Sequence, residues 1–511
     1  MTTAHVTCPL CEATCGLEVT LDGSRVTGTR GDAADVFSHG FICPKGASLG
    51  ALHHDPDRLR APLVRRGGEL VEATWEEAFA EIDRRLPPLL AEHGRDAVAI
   101  YAGNPSVHNI STALYGPAFY KAAGTKNFYT AGTVDQVPKQ LAAGLMFGHP
   151  LTVPIPDLDR TGHLLLLGAN PLVSNGSLMT APDVRGRLRG IHDRGGKIVV
   201  VDPKRSRTAE IADEHHAIRP GTDALLLFAL VNVLFAEDLV ALGQLAEHVA
   251  GVAEVRALAE PFTPAAVAPV TGLAAADIER MARELAAADR AAVYGRIGTT
   301  TQAFGTLASW LVDVLNTLTG NLDREGGAMF PLAAAGQANA RPGPRRPWTV
   351  GRWRSRVRGL PEVMGELPVA TLADEILTPG EGQVRALVTV CGNPCLSTPN
   401  AGRLTEALAR LDFMVSLDVY LNETSRHADV VLPGPTPLER PHYDVALYQL
   451  AVRNVANWTP AALPASVPQE WETMLALTGI LAGMGPSASV PALDDMVAAE
   501  AARRAGVDVS A

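Results

Sequence analysis

Cys8-Pro9-Leu10-Cys11-Glu12-Ala13-Thr14-Cys15 is answered further on by Phe41-Ile42-Cys43-Pro44-Lys45-Gly46. The spacing is C-x2-C-x3-C-x27-C. Four thiolates suffice for one cubane iron–sulfur cluster, because each iron takes one protein sulfur. Gly16, Gly23, Gly28 and Gly31 punctuate the excursion before Cys43, and Leu17-Glu-Val-Thr-Leu21 between them reads as a strand. A small domain held by its metal site is expected over residues 1–60. Zinc is the competing reading. Structural zinc sites usually pair their cysteines as two C-x2-C knuckles, and the second half here has one cysteine and no knuckle. Met1-Thr-Thr-Ala-His5 carries no secretory pattern, so a reducing cytoplasm is expected. Clustered cysteines there suggest metal rather than disulfides.

Outward from this motif the chain repeats one order, an apolar strand, a glycine turn and a helix. Asp96-Ala-Val-Ala-Ile-Tyr101 runs into Gly103-Asn104-Pro105. Leu164-Leu-Leu-Leu runs into Gly168-Ala-Asn170-Pro171, and Ala386-Leu-Val-Thr-Val into Cys391-Gly392-Asn393-Pro394. Strands alternating with helices imply parallel sheets covered on both faces, with ligands at the carboxyl ends of the strands. The fold class expected is therefore α/β. A small N-terminal iron–sulfur domain precedes two related doubly wound parallel-sheet domains. The first takes 61–140 plus 375–480 and is discontinuous; the second takes 141–335. An arginine- and proline-rich linker takes 336–374, and a helical tail 481–511.

The two α/β halves share a register. Lys197-Ile-Val-Val-Val-Asp202 leads to Thr208 and Asp213, and Phe413-Met-Val-Ser-Leu-Asp418 leads to Thr424 and Asp429, with equal offsets of six and five. Each then reaches Pro-Gly, at Pro220-Gly221 and Pro433-Gly434. An acid at such a strand end accepts hydrogen bonds from ribose hydroxyls or a base, or it initiates a turn. The doubled register favours a ligand for both Asp202 and Asp418, hence two nucleotide-binding halves. Lys204, Arg205 and Thr208 suit a pyrophosphate. Gly168, Asn170, Pro171 and Ser174 line the same cleft. Gly221, Thr222 and Asp223 open the following helix, with Thr222 or Asp223 as its cap. Gly392, Asn393, Pro394, Glu423 and Thr424 occupy the matching places in the second half.

With 511 residues, 47% hydrophobic and 19% charged, the chain can bury about three cores. A net charge of -11 argues against a nucleic-acid binder. The longest apolar run, 224–231, is far short of the roughly 18 residues a membrane span needs. Thr74-Trp-Glu-Glu77 is a capping box opening a helix, which Pro87-Pro88 is expected to break. Gly67-Gly68 marks a hairpin. A helical stretch is expected from 224 to 287. His53 and His54 are expected in a solvated loop, and Cys391 and Cys395 as buried thiols. Pro342, Pro344 and Pro347 stand among Arg341, Arg345, Arg346, Arg352, Arg354, Arg356 and Arg358. They read as a solvated linker rather than a funnel for anions.

The pattern C-P-L-C-x3-C-G-L, then G-D, then G-x-I-C-P-K-G resembles the N-terminal domain of the molybdopterin-guanine-dinucleotide oxidoreductases, which include formate dehydrogenases and nitrate reductases. The Gly-Asn-Pro turns, Thr319-Gly-Asn-Leu-Asp-Arg-Glu-Gly-Gly327 and Ala428-Asp-Val-Val-Leu-Pro433 extend the resemblance over nearly the whole chain. It implies a 4Fe-4S cluster on Cys8, Cys11, Cys15 and Cys43, and a bis-molybdopterin guanine dinucleotide carrying molybdenum or tungsten. It places Lys45 between cluster and pterin, and Asp223 on a guanine. It implies a cytoplasmic oxidoreductase with a small anionic substrate of the formate or nitrate class and a redox partner protein. The family's protein ligand to the metal follows the first Gly-Asn-Pro segment. That region here is Thr130-Ala-Gly-Thr-Val-Asp135-Gln-Val-Pro-Lys139, so Asp135 is the ligand candidate. Lys139 and His149 are candidates for acid–base or orienting roles. Family members usually carry a further C-terminal β-rich domain, and this sequence stops at Ala511. The alternative is a non-catalytic iron–sulfur electron-transfer or scaffold subunit, as in the cluster-bearing subunit of respiratory complex I.

Overall fold

The computed structural model describes residues 1–335 and 348–507. Strands β1 (Thr2–Thr7), β2 (Gly16–Asp22) and β3 (Arg25–Gly31) form an antiparallel sheet. Alternation puts Leu17, Val19 and Leu21 on one face of β2, and all three are buried. His53 and His54 are not in a loop. They end a helix, Leu49–His54, because Leu49 and Leu52 pack on this sheet. His54 accepts a hydrogen bond from the Val26 amide at 2.9 Å, and His53 meets the Thr436 hydroxyl at 2.8 Å.

The hairpin of β4 (Leu63–Arg66) and β5 (Glu69–Glu72) turns at Gly67-Gly68, both at positive φ. The capping box at Thr74 opens the helix Trp75–His93, which runs through Pro87 and Pro88 without breaking. Two prolines remove two intrahelical hydrogen bonds. The stripe Ile82, Leu86, Leu90 nevertheless stays buried on the sheet below, and each such side chain contributes about 1.5–3 kcal/mol, which offsets the loss. Then come β6 (Val98–Ala102) and β7 (Phe128–Thr130). The chain next builds β8 (Ile155–Pro156), β9 (His163–Leu167), β10 (Lys197–Val201), β11 (Glu214–His216), β12 (Ala291–Gly295) and β13 (Ala328–Met329). It returns for β14 (Ala386–Val390), β15 (Phe413–Leu417) and β16 (Val430–Leu432).

These strands make a seven-stranded sheet in the order β5-β4-β16-β15-β14-β6-β7 and a four-stranded sheet in the order β11-β10-β9-β12. The four-stranded sheet is wholly parallel. In the larger one only the hairpin and its join to β16 are antiparallel. Central strands are buried on both faces, as parallel strands flanked by helices must be. A fourth, two-stranded sheet pairs β13 with β8.

The helical stretch expected from 224 to 287 consists of four α-helices: Asp223–Ala236, Val252–Ala259, Pro264–Thr271 and Ala275–Ala287. Gly251 and Gly272 at positive φ, with Pro264 at a first-turn position, set the breaks. The arginine-rich segment is anchored where described. Arg352 pairs with Glu362, Arg356 with Glu375 at 3.2 Å and Arg358 with Asp374 at 3.4 Å. Glu362 and Glu375 are fully buried, so these cations are spent on carboxylates. Arg341, Arg345, Arg346, Pro342, Pro344 and Pro347 lie outside the described residues. Finally, Cys395 is buried but Cys391 is only half-buried, and both are free thiols.

Candidate functional site

Cys8 and Cys15 are buried, Cys11 and Cys43 half-buried, and all four are free thiols. The Cys8 amide donates to the Cys15 carbonyl at 2.8 Å, which closes the loop bearing the first three. Cys43 precedes the short helix Pro44–Ala47, which carries Lys45. Burial pushes the Cys8 thiol up to about 12, and Cys11 and Cys43 raise it further while Lys45 opposes them. Cys11 and Cys15 are raised by the same burial, and each also feels Cys43. The four thiols are thus near enough to act on one another, with Lys45 beside Cys8 and Cys11. Thiols that resist ionising when bare become thiolates on iron, so the donor set fits a cluster. Among the described residues no group of three His, Cys, Asp or Glu could hold a single metal ion. A cubane, by contrast, takes one thiolate per iron.

Each large sheet has a point where its connections reverse. In the smaller sheet β9 leads one way to β10 and β11, and β12 lies on its other side. In the larger, β14 leads one way to β15 and β16, and β6 leads the other way to β7. Ligands settle in the crevice at such points. Both crevices are floored by backbone alone. A Cβ on Gly168 would lie 2.7 Å from the Gly298 Cα, and one on Gly103 would lie 1.9 Å from the Cys391 carbonyl oxygen. Only glycine permits that approach.

The doubled register is a doubled set of hydrogen bonds. Thr208 donates its hydroxyl to the Asn170 side-chain oxygen at 2.8 Å and accepts from the Leu172 amide at 3.2 Å. Thr424 donates to the Asn393 side-chain oxygen at 2.6 Å and accepts from the Cys395 amide at 3.1 Å. Asp213 accepts from the Ile198 amide at 2.7 Å, and Asp429 from the Met414 amide at 2.8 Å. Thr208 and Thr424 are fully buried. Their hydroxyls hold the Asn-Pro turn from beneath rather than facing a ligand, which revises their assignment from contact to support.

The acids at the strand ends differ in their surroundings. Asp202 accepts from the Lys204 amide at 2.8 Å, with Lys204 and Arg205 exposed beside it. Asp418 accepts from the Tyr420 amide at 3.1 Å and the Asn422 side chain at 2.9 Å, and burial raises its carboxyl. Glu423 accepts from the Asn393 amide group at 2.8 Å. Ser174 meets the Ser177 hydroxyl at 2.8 Å on the short helix begun by Pro171. Gly392 packs against the Tyr101 ring, and Pro394 starts its own short helix. Gly221 turns at positive φ before Thr222, the cap residue of Asp223–Ala236. The Thr222 hydroxyl donates back to the Arg219 carbonyl at 2.7 Å, so it does not cap. Asp223 does not cap either. Its buried carboxylate accepts from the Gln302 side chain at 2.8 Å, and the Gln302 side-chain oxygen has no partner among the described residues.

Between the two sheets the chain gathers groups that sequence reasoning did not join. Asp135 follows β7 and a single turn, Ala131–Val134. Its carboxylate pairs with Arg296, which ends β12 at the other sheet's reversal point. The Asp135 carbonyl accepts from the Thr300 hydroxyl at 2.6 Å. Glu12, next to Cys11, feels both Arg296 and Asp135 and accepts from the Leu178 amide at 2.9 Å. Lys139 sits one turn into the helix Val137–Phe147 and is 1% exposed. Its ammonium lies 4.9 Å from the centre of the Tyr294 ring. Burial lowers its pKa while Asp313, also buried, opposes that. Burial pushes Asp313 up to about 6. His149 accepts from the Leu151 amide at 3.2 Å in the turn after that helix and is half-buried. The only sequence signal for Arg296 was a glycine turn at a strand end.

Residues 58–454 match the model of the molybdopterin oxidoreductase family, and residues 1–54 match the molybdopterin oxidoreductase Fe4S4 domain. The chain belongs to the molybdopterin oxidoreductase family. Its two matched domains call for a 4Fe-4S cluster and a molybdopterin–molybdenum cofactor. It is 27% identical over 457 residues to the assimilatory nitrate reductase catalytic subunit of Bacillus subtilis, covering 84% of this chain and 62% of that one. It is 26% identical over 458 residues to formate dehydrogenase H of Escherichia coli, covering 84% of this chain and 61% of that one. The chain thus spans about six tenths of the length of these curated relatives. Acetylene hydratase from Pelobacter acetylenicus has the same fold, with a TM-score of 0.75 at 19% identity over 94% of this chain and 69% of that one. Among the described residues no helix is long and apolar enough to cross a membrane.

Proposed function

We propose that this chain is the cofactor-bearing part of a cytoplasmic molybdenum or tungsten oxidoreductase acting on a small anion of the formate or nitrate class. The observation that carries the reading is the pair of close glycine approaches at the two strand-end turns, each with the same Asn–Thr hinge, in a chain whose four-stranded half also reaches the thiol loop through the Leu178 amide and Glu12. Two alike crevices suit two nucleotide tails, hence a bis-molybdopterin guanine dinucleotide. Asp202, Lys204 and Arg205 hold ribose and pyrophosphate of one tail, and Asp223 with Gln302 takes its guanine edge. Asp418 and Glu423 serve the other tail. When bound, the cofactor supplies the centre at which two electrons are exchanged with substrate. Asp135 stands where a protein ligand is needed, and Arg296 holds it there. Lys139, buried against Tyr294 and Asp313, takes an acid–base or orienting role from behind the cleft wall, and His149 takes the second such place beyond the opposite end of the same helix. Lys45 lies among the thiols, on the path by which electrons leave to a redox partner.

Anaerobic purification followed by iron, molybdenum, tungsten and pterin analysis tests the proposal. Four irons with one molybdenum or tungsten per chain support it, and formate- or nitrate-dependent reduction or oxidation of a dye identifies the substrate class. The second reading, a non-catalytic iron–sulfur subunit, is favoured by one observation. The Asp135 carboxylate is already neutralised by Arg296. Iron without molybdenum, tungsten or pterin selects that reading.

A further inference from the structure

At the end of β6, His108 and Asn109 lead into the helix Ile110–Ala123. His108 Nδ1 meets an Asp444 carboxylate oxygen at 2.9 Å, and the other Asp444 oxygen accepts from the Leu447 amide at 2.9 Å. His442 Nε2 lies 3.8 Å from the same carboxylate, too far for a hydrogen bond. Asp444 is fully buried, and His108, Asn109 and His442 are 4%, 2% and 3% exposed. Among the described residues both ring nitrogens of His442, the Asn109 side-chain nitrogen and the Thr112 hydroxyl have no partner. Leaving a buried polar atom unpaired costs roughly 1–3 kcal/mol, so the two orphaned ring nitrogens of His442, beside the His108–Asp444 pair, point to something that pairs with them.

The place itself is a three-way junction. The His442 backbone pairs with Thr459, whose hydroxyl accepts from the amide of Thr7, the residue before Cys8. Further along the same segment, Thr180 of the four-stranded half pairs with Leu450 and Val452, and its hydroxyl donates to the Leu447 carbonyl. His108 belongs to the seven-stranded half. The His442 ring and its His108–Asp444 neighbours therefore sit where the cluster domain and both α/β halves meet.

We infer that His108, Asn109 and His442, oriented by Asp444, form a contact site for the pterin ring system of the cofactor. This rests on the oxidoreductase reading above. The chemistry selects a ring edge over a phosphate. An imidazole offers one donor and one acceptor and an amide group offers donors, which match the mixed N–H and C=O edge of a pterin. A phosphate here would face the Asp444 carboxylate, and the nearby cation, Arg440, is already paired with Glu470. Burial keeps His442 uncharged, its pKa lowered to about 4 despite Asp444.

The test is cofactor retention in the anaerobically purified protein, read as pterin fluorescence after oxidation and as iron per chain. His442→Leu is expected to lose pterin about tenfold faster on dialysis, the change equivalent to one hydrogen bond of about 1.4 kcal/mol. Iron per chain stays at the unsubstituted level, and His442→Gln, which keeps a donor and an acceptor, restores much of the retention. His108→Leu behaves like His442→Leu. Pterin retention unchanged in both leucine variants overturns the inference while leaving the oxidoreductase reading intact. An unsubstituted protein that carries iron but no pterin overturns both.

Discussion

Asp135 and Arg296 join the two α/β halves across the cleft, the carboxylate from the turn after β7 and the guanidinium from the end of β12. Arg296 is buried while its partner is partly exposed, the side chains being 10% and 39% accessible. Asp135→Ala strands a buried cation, and with solvent screening at the acid the expected loss is about 1–2 kcal/mol in urea unfolding. The same variant is expected to lower molybdenum or tungsten per chain without changing iron. Full metal content in Asp135→Ala removes this residue as the ligand.

Lys139 and Asp313 give a pH signature. The Asp313 carboxyl is raised from 3.8 to about 6 by burial, so the folded protein binds that proton more tightly than the unfolded chain. Where the folded state holds the extra proton, stability falls as pH rises. The contribution is fully present below pH 3.8 and lost as pH passes about 6. Over that window wild type should lose roughly 2–3 kcal/mol relative to Asp313→Asn. Lys139 is shifted the other way, downward, so its penalty fades as pH rises through its lowered value toward 10.5. Parallel stability curves for wild type and Asp313→Asn between pH 4 and 7 would contradict the assignment.

Thr208→Val and Thr424→Val each remove a hydroxyl from beneath an Asn-Pro turn and leave a buried amide unpaired. Each is expected to cost about 1–2 kcal/mol. The two sites share no partners, so the double variant should show the sum. A double variant no worse than either single one would mean that the halves do not carry independent hinges.

Cys11→Ser replaces one of the four clustered thiols, the one that feels Cys43 and Lys45. Iron per chain and the broad visible absorption of the cluster are expected to fall together, while the α/β halves keep their own unfolding transition. Full iron in this variant would exclude Cys11 as a ligand.

The buried Asp223 carboxylate accepts from the side chain of half-buried Gln302 at 2.8 Å. Asp223→Ala is expected to lower guanine nucleotide released on acid treatment, and Asp223→Asn to lower it less. Because neither Asp223 nor Thr222 caps its helix by side chain, helix content by circular dichroism should stay constant. A drop in helix content with unchanged nucleotide would assign a structural role instead.

Much of this arrangement is legible along the chain because it is written at short range. Asp202, Thr208 and Asp213 repeat as Asp418, Thr424 and Asp429, and the last acid of each set closes back on its own strand over the same span, Asp213 on the Ile198 amide and Asp429 on the Met414 amide, 15 residues each. The cluster cysteines are readable for the same reason. What the sequence conceals is pairing at a distance. Arg296 lies 161 positions from Asp135, and Asp444 lies 336 from His108; no local pattern encodes either meeting. Local rules also misjudged Pro87-Pro88, where the apolar stripe through Leu90 outweighed the missing amides. Lys139 is legible in the sequence as an acid–base or orienting candidate but not as a buried group; the packing of Tyr294 and Asp313 around it shows that.

The seven-stranded sheet is sewn from both ends of the chain, with β14 slotting beside β6 only after the four-stranded half has been made. On the ribosome roughly 280 residues separate the two strands, about 15–60 s of synthesis. Throughout that interval β6 offers a bare apolar edge to any neighbour, while the inserted half is free to fold. Newborn chains therefore pass through a state with one finished crevice and one unmade. That interval is when the chain is most open to aggregation, and expression at low temperature with a holding chaperone should raise the yield of protein able to take up its cofactor.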